Sequence, residues 1–379
     1  MRKVLIFSLV YFPKYVGGAE VAVKEITDRI SSSDFQYDMI ALNGGGESIK
    51  EKVGNITVYR LFSKVGIIQK LLYPFAACRK AFELHRANHY DMIWSIMASY
   101  AGFAAFLFKR KYPHVPNILT IQEGDHFERR AGIFNFAFRW IFKAADYIQV
   151  ISNFLADWSE KMGARCPIVV VPNAVDVKLF SNKGDVMHVE ELKRKLNKKG
   201  GDIFLITTSR LTEKNGVGDI IESLQYLAPN IKLLILGKGE LEKTLKEKTA
   251  KLLLEHRVNF LGYVSHAEMP SYLHASDIFI RPSLTEGLGN SFLEAMAAGI
   301  PVIATPVGGI PDFLTDGETG LFCEVNNPKS IAQKAEKLIK DYESREYIVK
   351  RAESMVKERY EWSTITMAMK KIFESASTV

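Results

Sequence analysis

The stretch Arg281-Pro-Ser-Leu-Thr-Glu-Gly-Leu-Gly-Asn-Ser-Phe-Leu-Glu-Ala-Met-Ala-Ala-Gly299 decides how this 379-residue chain is read. A loop with two glycines, Gly287 and Gly289, runs into a short apolar helix. One carboxylate, Glu286, precedes the loop, and a second, Glu294, lies in the helix's first turns. Glycines let a backbone approach a ligand closely. The N–H groups at a helix start, with the positive end of the helix dipole, attract phosphate. Two acids flanking such a loop can hold hydroxyl groups, so the pattern suits a ligand carrying both phosphate and sugar. A purely structural reading competes with this one. Ser291-Phe-Leu-Glu294 has the spacing of a capping box, in which the glutamate only satisfies the helix start.

Outward from this stretch, strand-like and helix-like pieces alternate in both directions. Before it, strands are expected at residues 203–207, 232–236, 258–261 and 278–281, with helices at 218–227, 241–254 and 267–275 between them. After it come strands at 302–304 and 321–324 and three closing helices. The first half repeats the pattern. Residues 4–10 form a continuous apolar run, as expected of a fully buried parallel strand. That run leads into Gly17-Gly18-Ala19-Glu20 and a helix, a phosphate-approach element that lacks the G-x-G-x-x-G dinucleotide fingerprint. Strands at 37–42, 56–61, 92–96, 117–121, 147–152 and 168–171 follow, with helices at 67–85, 99–108, 134–144 and 154–162. The expected fold class is therefore α/β, two doubly wound Rossmann-like domains with a cleft between them. The expected boundaries are 1–185, a linker at 186–202, and 203–362.

Composition agrees. The chain is 47% hydrophobic and 25% charged, as in ordinary globular proteins, and its length suits two domains. Cys78, Cys166 and Cys323 are scattered and odd in number, which points to a reducing, cytoplasmic setting. No transmembrane segment is expected. The net charge of +7 sits mostly in residues 1–190, with 24 Lys and Arg against 18 acids. Such an excess favours anionic partners. No arginine-rich tract or nucleic-acid module accompanies it, so nucleic acid is not expected as a partner.

Arg210 and Lys214 follow the first strand of the second half, where an arginine fork and a lysine point charge can neutralise a diphosphate. Gln122 and Glu123, at a strand's carboxyl end, read as substrate contacts. His126 beside Asp125 is either a base or a polar surface residue. His85 and His89 read as surface residues at a helix end. Scattered histidines and the absence of Asp-x-Asp suggest that no metal is required.

Glu286-Gly-Leu-Gly-Asn-Ser-Phe-Leu-Glu294 resembles the E-x7-E pattern of the retaining GT-B glycosyltransferases of family 4. Gly17-Gly18-Ala19-Glu20, Pro172-Asn173-Ala174-Val175-Asp176, Arg210 with Lys214, Gly262-Tyr263-Val264, Ala297-Ala298-Gly299-Ile-Pro301-Val302 and Val307-Gly308-Gly309 are similar to that family in the same order. The resemblance implies a GT-B fold whose last helix, about 363–379, returns to the first domain. It implies a nucleotide-diphosphate sugar donor, a UDP- or GDP-sugar, and no cofactor. Arg210 and Lys214 would hold the diphosphate, Glu286 would contact the donor sugar, and Glu294 would bind ribose hydroxyls. Backbone N–H groups of Leu288, Gly289 and Asn290 would meet sugar and phosphate, and Tyr263 and Val264 would line the base. Gly17 and Gly18 would approach the diphosphate or acceptor.

The chain departs from the pattern at Gln122, where many relatives carry histidine, so a base at that position is not implied. The implied partners are the donor and a glycan or lipid-linked acceptor. Residues 134–143 and 71–86, aromatic and basic, are read either as core-facing helices or as faces set against an anionic membrane surface. Two rivals keep the fold and change the chemistry: a sugar-nucleotide epimerase, and a nucleotide-sugar-binding module without catalysis.

Overall fold

The apolar run near the start becomes the centre of the first sheet: Val4, Leu5, Ile6 and Phe7 have no exposed surface. In this computed structural model, which describes residues 1–43, 45, 49–122, 135–182 and 186–377, that run is strand β1 (Arg2–Phe7). With it lie β2 (Phe35–Leu42), β3 (Lys50–Val53), β4 (Ile56–Leu61), β5 (Met92–Ile96), β6 (Asn117–Ile121), β7 (Tyr147–Val150) and β8 (Ile168–Val170). The order is β3-β4-β2-β1-β5-β6-β7-β8, parallel throughout except where β3 runs antiparallel to β4. The chain reverses its direction of travel across the sheet at β1, which pairs with β2 on one side and β5 on the other. Open α/β sheets bind ligands at the carboxyl ends of the strands flanking such a reversal.

The second sheet holds β9 (Ile203–Thr208), β10 (Ile231–Leu236), β11 (Val258–Gly262), β12 (Ile278–Arg281), β13 (Val302–Ala304) and β14 (Leu321–Phe322). Its order is β11-β10-β9-β12-β13-β14, all parallel, and the reversal falls between β9 and β12. Helices supply the crossovers that parallel pairing requires. Their apolar faces, including Ile220, Ile221 and Leu245, close a core with Leu205, Leu233 and Ile280. The α/β class and the two doubly wound sheets are thus as the alternation of apolar runs predicts.

The chain divides into two compact units, Met1–Asn173 with Trp362–Val379, and Ala174–Glu361. The first division falls earlier than the expected 185. Val175 already donates its N–H to Tyr360 O at 2.8 Å, and Phe180 is buried within the second unit. The expected linker carries a helix, Val186–Lys195, and is part of that unit as well. The closing helix, Trp362–Ala376, is held in the first unit by Phe373, whose ring meets Trp94 at 5.1 Å and Phe35 at 5.5 Å. Lys370 pairs with Asp34 at 2.7 Å beside it.

Three local expectations change. β3, Lys50-Glu-Lys-Val53, is a charged edge strand with no apolar run to announce it. The strand expected to reach Ser152 stops at Val150, because the Ser152 hydroxyl accepts the Leu155 N–H and caps the helix Asn153–Lys161. His85 is buried, not superficial: its ring packs 4.5 Å from Tyr112, and its Nδ1 accepts the Tyr90 N–H at 3.2 Å. Burial lowers its pKa.

Phe373→Ala, which empties a fully buried site in the first unit, is expected to cost about 3–5 kcal/mol. Urea unfolding should show a lower midpoint for the transition that quenches Trp94 fluorescence.

Candidate functional site

In the second unit the carboxyl ends of β9 and β12 lie at the reversal, and two loops leave them side by side. The loop at 209–216 carries Arg210 and Lys214; the loop at 282–289 carries Glu286. A backbone hydrogen bond from Leu284 N–H to Lys214 O, 2.7 Å, ties one to the other. Their close approach depends on Gly216, held at φ +64°, where an added Cβ would lie 2.2 Å from Pro282 O.

Beneath these loops lies a cation that the sequence reading passed over. Arg281 ends the apolar strand Ile278-Phe-Ile-Arg281 and is itself buried. A buried charge is stable only with a partner and filled hydrogen bonds. Glu286 is that partner, accepting from Arg281 Nη2 through Oε2 and from its neighbour's Gly287 N–H through Oε1 at 3.0 Å. Arg281 also donates to Asn215 Oδ1 at 2.8 Å and to Ser291 Oγ at 3.0 Å, and its guanidinium lies 5.3 Å from the Phe292 ring centre. Asn215 in turn donates to Arg210 O at 2.6 Å. One polar network therefore runs from the backbone of Arg210 to the carboxylate of Glu286. Gly308, at φ +57°, closes it from below: an added Cβ would lie 1.9 Å from Glu286 O.

The helix after the glycine loop is Asn290–Ala297, with Gly289 as its N-cap and no side chain capping it. This overturns the capping-box reading of Glu294. Ser291 lies inside the helix, not at its cap, and its hydroxyl is taken by Arg281. Glu294 instead faces His266, Oε1 to Nε2 at 3.4 Å. That contact raises the pKa of His266, against the opposing effect of burial, with the charge of Asp176 adding to it. The Phe180 ring packs edge-on 5.2 Å from the imidazole.

Of the other expected residues in this unit, the Arg210 side chain is exposed and Lys214 is half-buried. Leu288 is buried, so only its backbone is available, while Gly289 and Asn290 are half-buried. Tyr263 is exposed and Val264 half-buried just after β11. Arg210, Lys214, Glu286, Leu288, Gly289, Asn290 and Glu294 all lie on the two loops and the helix that follows them.

The remaining expected residues sit at the carboxyl edge of the first unit's sheet. Gly17 and Gly18 are exposed at the start of the helix Gly18–Arg29, and Gly17 N–H donates to Glu20 Oε2 at 2.9 Å. Burial raises the Glu20 pKa. Gln122 Oε1 accepts from the buried Asn173 amide at 3.1 Å. Glu123, Asp125 and His126 lie outside the described residues. Among the described residues no group of three His, Cys, Asp or Glu is placed to hold a metal ion.

Arg281, Asn215 and His266 carry parts of the site that spacing alone did not reveal. Only Arg281 left a signal, a cation ending an otherwise apolar strand.

Comparison with known proteins places two families on the chain. Residues 16–179 match the model of glycosyltransferase family 4, and residues 188–355 match that of glycosyl transferases group 1. An uncharacterized glycosyltransferase of Methanocaldococcus jannaschii is 26% identical over 100% of this chain and 99% of its own. The N-acetyl-alpha-D-glucosaminyl L-malate synthase of Bacillus anthracis is 25% identical over 94% of each. Among solved structures, HepE of Anabaena in complex with UDP and glucose superposes with a TM-score of 0.81 over 99% of this chain and 100% of its own, at 18% identity.

Arg281→Ala should cost about 3–5 kcal/mol in chemical denaturation, because it leaves the Glu286 carboxylate buried without its counter-charge. Gly308→Ala should cost more than about 1 kcal/mol for its positive φ and the clash with Glu286 O. His266, with its pKa raised in the folded protein, contributes stability that is present at acid pH and is lost as pH rises through that pKa. An NMR titration of His266 should show the raised pKa falling back in Glu294→Gln.

Proposed function

Because this chain belongs to the glycosyltransferases of group 1 and family 4 and shares their GT-B fold, we propose that it moves a sugar from a nucleotide-diphosphate sugar to an acceptor hydroxyl with retention at the anomeric carbon. The hydrogen bond from Leu284 to Lys214 O carries this reading. It closes a cationic loop onto a glycine loop in front of a helix start that no side chain caps. A helix end with free N–H groups beside two cations suits a diphosphate. The donor is a UDP- or GDP-sugar, a choice supported by the UDP and glucose bound to HepE. The acceptor is a glycan or lipid-linked hydroxyl compound, and the reaction belongs to glycan, glycolipid or cell-surface polysaccharide synthesis in the cytoplasm or at its membrane face.

As the bond from anomeric carbon to phosphate oxygen breaks, negative charge grows on the diphosphate and positive charge on the sugar. Arg210, Lys214 and the N–H groups of Leu288, Gly289 and Asn290 stabilise the first. No metal is required for that charge. The acceptor oxygen bonds to the anomeric carbon on the face the phosphate leaves, and its proton passes to the departing phosphate oxygen. Such a path needs no protein base, which accommodates Gln122. Glu286 contacts the donor sugar, Glu294 exchanges His266 for ribose hydroxyls, and Tyr263 and Val264 line the base. Gly17, Gly18 and Gln122 are assigned to diphosphate or acceptor contacts.

Arg210→Ala and Lys214→Ala should each lower turnover about a hundredfold or more with the melting temperature unchanged. Near-normal turnover in both variants would remove the assignment. Glu294→Ala should weaken nucleotide binding more than turnover, as read by thermal shift with UDP and GDP and by sugar release from their glucose conjugates.

A further inference from the structure

The helix Ile67–Asn88 has two apolar faces, and only one is used by the fold. Tyr73, Ala77, Cys78, Ala81 and Leu84 point into the core of the first unit. Ile67, Ile68, Leu71, Leu72 and Phe75 recur at intervals of one, three and four, the spacing of a single helical face, and point outward. Ile67 is 79% exposed, Leu71 59% and Phe75 58%. Exposed apolar side chains gathered into one patch mark an interaction surface.

The patch continues across neighbouring helices. Phe75 meets Phe103 of the helix Tyr100–Lys111 edge-on at 6.1 Å, and Phe103 stacks on Phe106 at 5.8 Å. Phe106 stacks on Trp140 of the helix Asn135–Lys143 at 6.0 Å, and Trp140 is 42% exposed. The helices that carry this aromatic row are strongly basic, although Lys109 is tied to Asp146 and Arg79 and Lys80 lie near Glu83. The three helices hold nine Lys and Arg and a single acid, Glu83, an excess larger than the +7 of the whole chain.

Apolar and aromatic side chains at the centre with cations around them are complementary to an anionic lipid surface, where rings enter the headgroup layer and cations meet phosphate. A protein partner of matching chemistry would need an apolar face ringed with acids. The first turn of Ile67–Asn88 starts after β4, at the carboxyl edge of the sheet, and the exposed Val16 and Phe62 lie in loops on that same edge. Among the described residues no helix is long and apolar enough to cross a membrane.

We infer that this face of the first unit docks on the surface of an anionic lipid bilayer, with the outward stripe of Ile67–Asn88 and Trp140 in the headgroup layer. The proposal uses none of the donor residues and stands whether or not the donor reading does.

Full-length protein is sedimented with vesicles of phosphatidylcholine alone and of equal parts phosphatidylcholine and phosphatidylglycerol. Binding is expected to the anionic vesicles and to weaken with added salt. Ile68→Glu with Leu72→Glu, both at exposed positions, should weaken it at least about tenfold. Arg79→Ala should weaken it roughly fivefold. All variants should keep the wild-type melting temperature and UDP-induced thermal shift. Absent binding to anionic vesicles, equal binding by wild type and the glutamate variant, or a concentration-dependent dimer that the variant abolishes would overturn the proposal. Vesicle binding without any UDP shift would uphold this surface and count against the donor reading alone.

Discussion

The buried pair of Arg281 and Glu286 sets the geometry of the second unit's site. Removing a cation and a carboxylate from water is costly, and the cost is recovered only with good geometry and further hydrogen bonds. Asn215, Ser291 and the Gly287 N–H supply those bonds, leaving Arg281 Nε as the buried donor without one. Each comes from a different element: the loop after β9, the following helix, and the glycine loop itself. Satisfying one ion pair thus fixes three backbone segments against each other. It also sets the Glu286 carboxylate against a cation of its own, so the glycine loop carries no unpaired buried acid.

Most of the fold is legible in the chain because parallel strands buried on both faces must be continuous apolar runs. Residues 4–7, 233–236 and 278–280 announce themselves in that way. β3 does not, since an edge strand exposed on its flank can be built of lysine and glutamate. The neighbourhood of the two loops was legible in part, since Arg210, Lys214 and the glycine loop were read together and their backbones meet at the Leu284 N–H to Lys214 O bond. It was not legible where the need is a tertiary contact. Ser291 and Glu294 have capping-box spacing, yet the helix begins at Asn290, so the serine is already inside it. Its hydroxyl answers Arg281, ten residues earlier, and Glu294 answers His266 in a loop after β11. Spacing within a helix carries no information about such partners.

The helix Ile67–Asn88 shows the same limit in another form. Core-facing and membrane-facing readings of residues 71–86 were rivals from sequence, and the helix has both a buried side and an exposed apolar side. Cys78 and Ala81 serve the core while Leu71 and Phe75 do not. Periodicity finds an apolar stripe; only the packing tells how many neighbours it has.

The first unit is discontinuous: its core is completed by Phe373, which the chain supplies more than two hundred residues after Trp94. During synthesis from the N-terminus the second unit, continuous from Ala174 to Glu361, is finished first. Phe35, Tyr37 and Trp94 wait with part of their apolar surface open until the closing helix leaves the ribosome. Domains usually mature in the order in which they are made, and exposed apolar surface in the interval invites aggregation. Here the residues that complete the first unit's core follow the whole of the second unit, so the fifteen-residue helix Trp362–Ala376 can cover Phe35, Tyr37 and Trp94 only after that unit has been made.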